Sequence, residues 1–152
     1  MNYYGVVSRF LGERDKNMTR RQEREETFLM IFEGEFDHSR TAEDIYGQAK
    51  ESREVGESEY ISTVLSGVIE KRDELGALIE KHSRGWQRDR ITHSASAAML
   101  LAVYEMKYMP ELPTRVSINE ALELIKKYDD DKARVFVNGV LHAVATELGE
   151  QA

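Results

Sequence analysis

The chain has 152 residues, of which 41% are hydrophobic and 32% are charged, a composition typical of one folded domain and not of a disordered chain. Its formal net charge of −7 by itself argues against binding to nucleic acid. There is no cysteine, which excludes a disulfide framework, a thiolate metal site and a cysteine nucleophile. No signal peptide and no stretch of about 18 apolar residues is present, so no membrane span is expected and the expected location is the cytoplasm.

A first helix is predicted over residues 19–35. Thr19 and Gln22 are three positions apart, the spacing of a capping box in which two side chains bind the free amides of a helix start. Apolar residues follow at helical spacing: Phe28, Ile31 and Phe32. A second helix is expected to begin near Ser39 or Thr41.

The middle of the chain predicts two or three further helices. From Glu59 the apolar residues repeat every three or four positions, with a break expected at Asp73, so this stretch forms either one kinked helix or two. Thr92 or Ser94 then caps a strongly apolar stretch, residues 95–106. That helix is expected to be the most buried one.

Two more helices are predicted on the far side of the chain's two prolines, Pro110 and Pro113. Ser117 and Glu120 again have capping-box spacing, which predicts the start of one helix. The acidic residues 129–131 are expected to cap the last helix. Since no segment alternates at period two, the predicted fold class is all-α, a compact bundle of about six or seven helices.

The sequence lacks the motifs of common enzymes. Its four histidines are scattered without metal-ligand spacing, and its glycines form no phosphate-binding loop or nucleophile elbow. We therefore expect no catalytic residues, no metal site and no cofactor.

Positive charge is concentrated at the amino-terminal end. Residues 1–24 carry a net charge of +3, and the remaining 128 residues carry −10. Arg20, Arg21 and Arg24 are expected to fan over one side of the first helix at its start, where guanidinium groups can bind phosphates. The alternative is that these arginines are solvated or paired with neighbouring glutamates.

Four segments occurring in order resemble the NusB family: MTRRQERE at 18–25, LLAVYE at 100–105, PTRVSINEA at 113–121 and RVFVNGVL at 134–141. The Gly85-Trp86 turn and the following Asp89-Arg90-Ile91 fit the same family. Because family members commonly begin near Met18, residues 1–17 are expected to be a flexible extension. Residues 18–152 are then expected to form a single helical RNA-binding domain.

The resemblance implies a non-catalytic RNA-binding protein. NusB-like proteins pair with NusE, which is also a small-subunit ribosomal protein. The pair binds the single-stranded boxA element of nascent ribosomal RNA transcripts and helps the RNA polymerase antitermination complex pass terminators. Homodimers also occur among NusB-like proteins, so a homodimer is an open alternative.

The family's motifs also imply which residues contact RNA. Arg20, Arg21 and Arg24 coincide with family arginines, and Phe136 coincides with a phenylalanine that contacts RNA. Lys132, one turn before Phe136, stands where an acidic residue is often found and is expected to add favourable charge. Phe136 also lies on the apolar stripe of its helix, so core packing and base stacking are both open interpretations.

Other motif positions bear on the partner protein. Phe32 matches an aromatic residue on the family's NusE-facing side, although with Phe28 and Ile31 it also forms an apolar triplet typical of a core. The helix that faces NusE in the family usually carries charged residues at three positions where this chain has others: Ala95, Ser96 and Leu100. For Asn119 and Asn138 two interpretations are open, a buried amide pair joining the last two helices and contact with RNA.

Two alternative functions remain open. One is an RNA-docking domain related to ribosomal RNA cytosine methyltransferases, although no catalytic domain follows in this sequence. The other is a protein-interaction bundle without RNA binding, which normal RNA affinity would exclude.

Overall fold

A computed structural model of the protein describes residues 18–85 and 90–151. This part of the chain contains helices and no strand, which confirms the all-α class and the expected number of helices. The predicted flexible extension, residues 1–17, lies outside the described residues, as does Trp86. The seven helices are α1 (Arg20–Glu35), α2 (Ala42–Arg53), α3 (Glu59–Glu70), α4 (Arg72–Lys81), α5 (His93–Tyr108), α6 (Thr114–Tyr128) and α7 (Asp131–Gln151).

The chain divides into two compact units, Met1–Ile69 and Glu70–Ala152. In the first unit, α1 begins at the predicted capping box. The hydroxyl of Thr19 accepts a hydrogen bond from the Gln22 N–H at 3.1 Å, and the Gln22 side chain accepts one from the Thr19 N–H at 2.8 Å. The capping-box prediction is therefore confirmed, and α1 contacts α2.

The linker after α2 is held by two side chains. The Tyr46 hydroxyl donates to the Gly56 carbonyl at 2.8 Å and accepts from the Ser58 N–H at 2.9 Å. The Ser58 hydroxyl accepts from the Ile61 N–H at 3.1 Å, which satisfies a free amide at the start of α3. This arrangement fixes where α3 begins.

The second unit is built around α5. All residues from 97 to 106 are buried, and α5 contacts α4, α6 and α7, so the prediction that this helix is the most buried is confirmed. Thr92 caps it by accepting from the Ala95 N–H at 3.1 Å. The stretch from Glu59 forms two helices, with the break at Lys71 and not at Asp73.

The predicted start of α6 at Ser117 is wrong. The helix begins at Thr114, directly after Pro113, whose ring holds φ at −63°, close to the helical value. Ser117 thus lies inside the helix and is only 1% exposed. The acidic run caps α7 as predicted, because the Asp130 carboxylate accepts from the Ala133 N–H at 2.8 Å.

None of the helices in the described ranges has the length and apolar character needed to cross a membrane. Instead, α7 has one apolar side that is buried, with Phe136, Val137, Val140, Leu141 and Val144. Its first turn stays exposed at Asp131 and Lys132. The exposed start of α7 is therefore a surface on which ligand-binding side chains can be presented.

Candidate nucleic-acid interface

Arg20, Arg21 and Arg24 lie in the first two turns of α1, and we call them the arginine cluster. They are not equally accessible. Arg20 and Arg21 are exposed, whereas Arg24 is only 4% exposed. The sequence pattern predicts three equivalent guanidinium groups, but the structure has two on the surface and one inside.

Tyr60, in the first turn of α3, lies beside two of the three arginines. The guanidinium carbon of Arg20 lies 4.4 Å from the centroid of the Tyr60 ring, and that of Arg24 lies 6.0 Å from it. Both distances are within the range of cation–π attraction. Tyr60 is itself 6% exposed, so its ring is buried with Arg24, while Arg20 lies on it from the surface.

Glu23 also engages the arginine cluster. One of its carboxylate oxygens lies 3.3 Å from Arg20 Nε, and the other accepts a hydrogen bond from the Ser58 hydroxyl. Part of the positive charge of the cluster is thus paired with a carboxylate of the same unit. The alternative interpretation of pairing with nearby glutamates therefore holds for Arg20, whose side chain nevertheless stays 49% exposed.

A groove of about 400 Å³ lies in the second unit, between the segment that leads into α5 and the start of α7. One side is lined by Gly85, Arg90, Ile91, Thr92 and Ala95. The other side is lined by Asp130, Lys132, Ala133 and Phe136. The two sequence-predicted residues Lys132 and Phe136 therefore line one cavity.

Asp129 joins the two sides of this groove. Its carboxylate accepts hydrogen bonds from the hydroxyls of Thr92 and Ser94 at the start of α5. Burial raises the pKa of the Asp129 carboxyl, but the hydrogen bonds from Ser94, Thr92 and the Asp130 N–H outweigh it, so the pKa lies below its usual value. The groove walls are consequently tied together by an ionised carboxylate.

The groove has two exposed cations, Lys132 on α7 and Arg90 on the opposite side. Neither has an ion-pair or hydrogen-bond partner among residues 18–85 and 90–151. In the sequence, Arg90 stands out only as part of a family motif and not as a site residue. No local pattern could have found it, because its relation to Lys132 arises only when α5 and α7 meet.

Phe136 has features of both open interpretations, core packing and base stacking. It is only 6% exposed, so it packs in the interior, yet it also lines the groove. The interpretation of Asn119 and Asn138 as a buried amide pair is wrong, because both residues are exposed. They face outward because Ile118 and Val137, their neighbours in sequence, take the inward positions on α6 and α7.

Phe32 differs from the two residues with which it was grouped. Phe28 is 1% exposed and Ile31 is fully buried, whereas Phe32 is only partly covered. Its ring packs edge-on against Phe36, with centroids 5.1 Å apart, and Phe36 is 63% exposed. The end of α1 therefore presents an aromatic pair at the surface.

No metal site is found among the described residues, because no three acidic or histidine side chains lie close enough together to hold an ion. Ala95 lines the groove, so this departure from the family pattern lies on the groove wall. Ser96 is partly exposed and Leu100 is buried. The three positions at which this chain lacks the family's charged residues thus lie in different surroundings.

Comparison with known proteins gives a consistent result. The NusB family model matches residues 21–146. The chain is 38% identical over 137 residues to transcription antitermination protein NusB of Natranaerobius thermophilus, covering 88% of this chain and 99% of that protein. It is 44% identical over 127 residues to the NusB protein of Agathobacter rectalis, covering 82% and 97%.

A solved structure shares the fold. It is a crystal structure of the antitermination factors NusB and NusE in complex with double-stranded RNA. The match covers 84% of this chain and 96% of that one, with a TM-score of 0.75 and 24% identity.

Proposed function

The chain belongs to the NusB family, and we propose that, together with NusE, it binds the single-stranded boxA element of nascent ribosomal RNA transcripts. In this role it supports ribosomal RNA synthesis within the RNA polymerase antitermination complex, in the cytoplasm. The family is one of transcription antitermination proteins without catalytic activity, so the prediction that the chain is not an enzyme is confirmed.

The observation that carries the proposal is the groove of the second unit. It combines exposed cations, which bind phosphates of any sequence, with an apolar floor at Phe136, against which a base can lie. Unpaired strands offer both features at once, because their bases are not stacked inside a helix. The groove therefore supports single-stranded RNA as the ligand.

The arginine cluster supplies a second set of phosphate contacts in this proposal. Arg20 and Arg21 are exposed and can contact phosphates directly. Arg24 is buried against the Tyr60 ring, so it acts mainly by holding the start of α1 in place. The charge of −7 for the whole chain is no obstacle, because binding uses the local charge of these surfaces.

We assign the Phe32–Phe36 pair to the contact with NusE. An exposed aromatic side chain held by a second ring is typical of residues that anchor protein interfaces. The solved NusB relative was crystallised with NusE and RNA, which supports the choice of partner.

The proposal is tested by titrating a boxA-like single-stranded RNA with the purified chain, with and without NusE. We expect tighter binding when NusE is present and weaker binding to a scrambled RNA of equal length. Equal, weak binding to both RNAs, unaffected by NusE, would overturn the proposed function.

The partner contact is tested separately with Phe36→Ala. Because Phe36 is 63% exposed, the variant is expected to fold normally and to lose affinity for NusE while keeping affinity for RNA. Tyr128→Ala is the matched control, since Tyr128 is also an exposed aromatic residue but lies at the end of α6. Equal NusE affinity in both variants would remove the aromatic pair from the interface.

A further inference from the structure

The groove of the second unit has a size and a charge that define its ligand more narrowly than RNA in general. Its volume of about 400 Å³ lies near the lower end of the range, about 300–1,000 Å³, in which pockets for single small molecules fall. One nucleotide fits a groove of this size. The groove thus points to a single unpaired nucleotide.

The charges on the two walls are arranged for an anion that passes between them. Lys132 comes from the first turn of α7, and Arg90 comes from the segment before α5. Asp130 is the only acidic side chain among the described lining residues, and its carboxylate is occupied by the Ala133 N–H of its own helix. Neither cation forms an ion pair with a described residue, although two carboxylates add negative charge nearby: Asp130, which lines the groove, and Asp129, which binds Thr92.

The walls between the two cations are apolar and small. Ala95 and Ala133 contribute only methyl groups, and Phe136 also lines the groove. A flat base can enter such a space, because the described lining is mostly apolar and includes two alanines. The combination of an apolar slot and a cation on each rim matches a nucleotide with a phosphate on either side.

We propose that Arg90 is an RNA-contact residue, and that it and Lys132 bind the phosphates flanking one unpaired nucleotide whose base enters the groove. This inference rests on the proposed function and goes beyond it, since it adds a residue and states how many nucleotides the groove takes. Thr92 and Asp129 act as positioning residues, because their hydrogen bond sets the distance between the two walls.

The first test compares the salt dependence of RNA binding in Arg90→Ala, in Arg115→Ala and in the wild type. Each phosphate contact on a single strand contributes about 0.7 to the slope of log affinity against log salt. We expect Arg90→Ala to lower the slope by about 0.7. Arg115 is equally exposed and partner-free among the described residues but lies outside the groove, so Arg115→Ala is expected to leave the slope unchanged.

The second test locates the contact on the RNA. Uncharged methylphosphonate linkages are placed one at a time along the boxA-like strand. In the wild type, neutralising the linkage bound by Arg90 is expected to weaken binding. In Arg90→Ala, neutralising the same linkage is expected to have no further effect. Neutralising any other linkage is expected to have the same effect as in the wild type. An abasic residue beside that linkage is expected to weaken wild-type binding as well.

The outcomes separate this inference from the function on which it rests. A wild-type chain that binds no RNA overturns both. A wild type that binds RNA while Arg90→Ala and Arg115→Ala have equal slopes, with no linkage coupled to Arg90, overturns only the role of Arg90. If Arg90→Ala does not fold, the wild-type Arg90 side-chain N–H signal is followed by NMR during RNA titration, and an unchanged signal overturns the inference.

Discussion

The arginine cluster and the groove both carry positive charge, but they differ in whether their cations have partners within the fold. At the start of α1, Arg20 and Arg24 lie on the Tyr60 ring, and Arg20 is paired with Glu23. In the groove, Arg90 and Lys132 have no partner among the described residues. The arginine-rich segment is therefore the region in which more of the positive charge is used in contacts within the fold.

This difference shows that a run of basic residues does not by itself measure the charge available to a ligand. What decides availability is the neighbourhood supplied by distant parts of the chain. Tyr60 and Ser58 approach α1 from α3, whereas Arg90 and Lys132 meet no described acidic partner. The contrast predicts that changes at α1 affect stability first and that changes in the groove affect binding first.

The largest effect is expected from Tyr60→Ala. Truncating a buried aromatic side chain costs about 3–5 kcal/mol, and here Arg20 and Arg24 also lose the ring on which they lie. The free energy of unfolding in urea measures this. Tyr60→Phe keeps the ring and is expected to cost much less. A loss below about 1 kcal/mol for Tyr60→Ala would show that the ring does not organise the arginine cluster.

A smaller effect is expected from Asp129→Asn, at about 2 kcal/mol near neutral pH, because hydrogen bonds to a charged group are lost. The pKa of Asp129 is lowered in the folded chain, so its stabilising effect is present above the unfolded value near 4 and disappears as the pH falls through the folded value. Urea unfolding of the wild type and the variant should thus converge in acid.

Asp131→Asn is the control for Asp129→Asn. Asp131 is exposed, and its side chain accepts no hydrogen bond from the described residues. This variant is expected to match the wild type within about 0.5 kcal/mol at neutral pH. If Asp129→Asn shows the same destabilisation at pH 7 and pH 2, the carboxylate does not tie the groove walls together.

Thr19→Ala is expected to cost about 1 kcal/mol, since it removes the hydroxyl that caps α1 at the Gln22 N–H. The cost matters for the arginine cluster because the cap fixes the helix turn from which Arg20 and Arg21 extend. Thr63→Ala, at an exposed position within α3, is the control and should change unfolding very little. Equal values for the two variants would mean that the capping box contributes nothing in solution.

The smallest effect on stability is expected from the exposed arginines, whose loss is measured in the salt dependence of RNA affinity. Arg20→Ala combined with Arg21→Ala should lower the salt slope by about 1.4, from about 0.7 per phosphate contact. Adding Arg24→Ala should bring the total reduction to at most about 2, with a larger loss of stability than in the double variant. If Arg24→Ala lowers the slope by about a further 0.7 without any loss of stability, all three arginines are equally available to RNA.

Much of the fold could be predicted from local patterns. The capping boxes, the apolar spacing and the acidic run identify helix starts because these interactions join residues three or four positions apart. The exception is instructive: Ser117 and Glu120 have the right spacing, but Pro113 already starts α6, so the later signal falls inside the helix. A local signal is reliable only when no earlier one overrides it.

The candidate site was only half predictable for the same reason. Arg20, Arg21, Lys132 and Phe136 were identified from charge and family motifs, which are properties of short segments. Arg90 was not, because its importance depends on which residues it lacks as neighbours. The burial of Arg24 and the exposure of Asn119 and Asn138 were missed too, since the rotation of a helix about its axis depends on what packs against it.

The sequence by itself determined the helical class, most helix starts, the absence of enzyme motifs and the family, because each of these is written in local spacing or in motifs of a few residues. Only the tertiary structure decided which cations are free, which aromatic rings are exposed and where a cavity forms. These properties depend on contacts between segments tens of residues apart, which bury one arginine against Tyr60 and leave another open to a ligand.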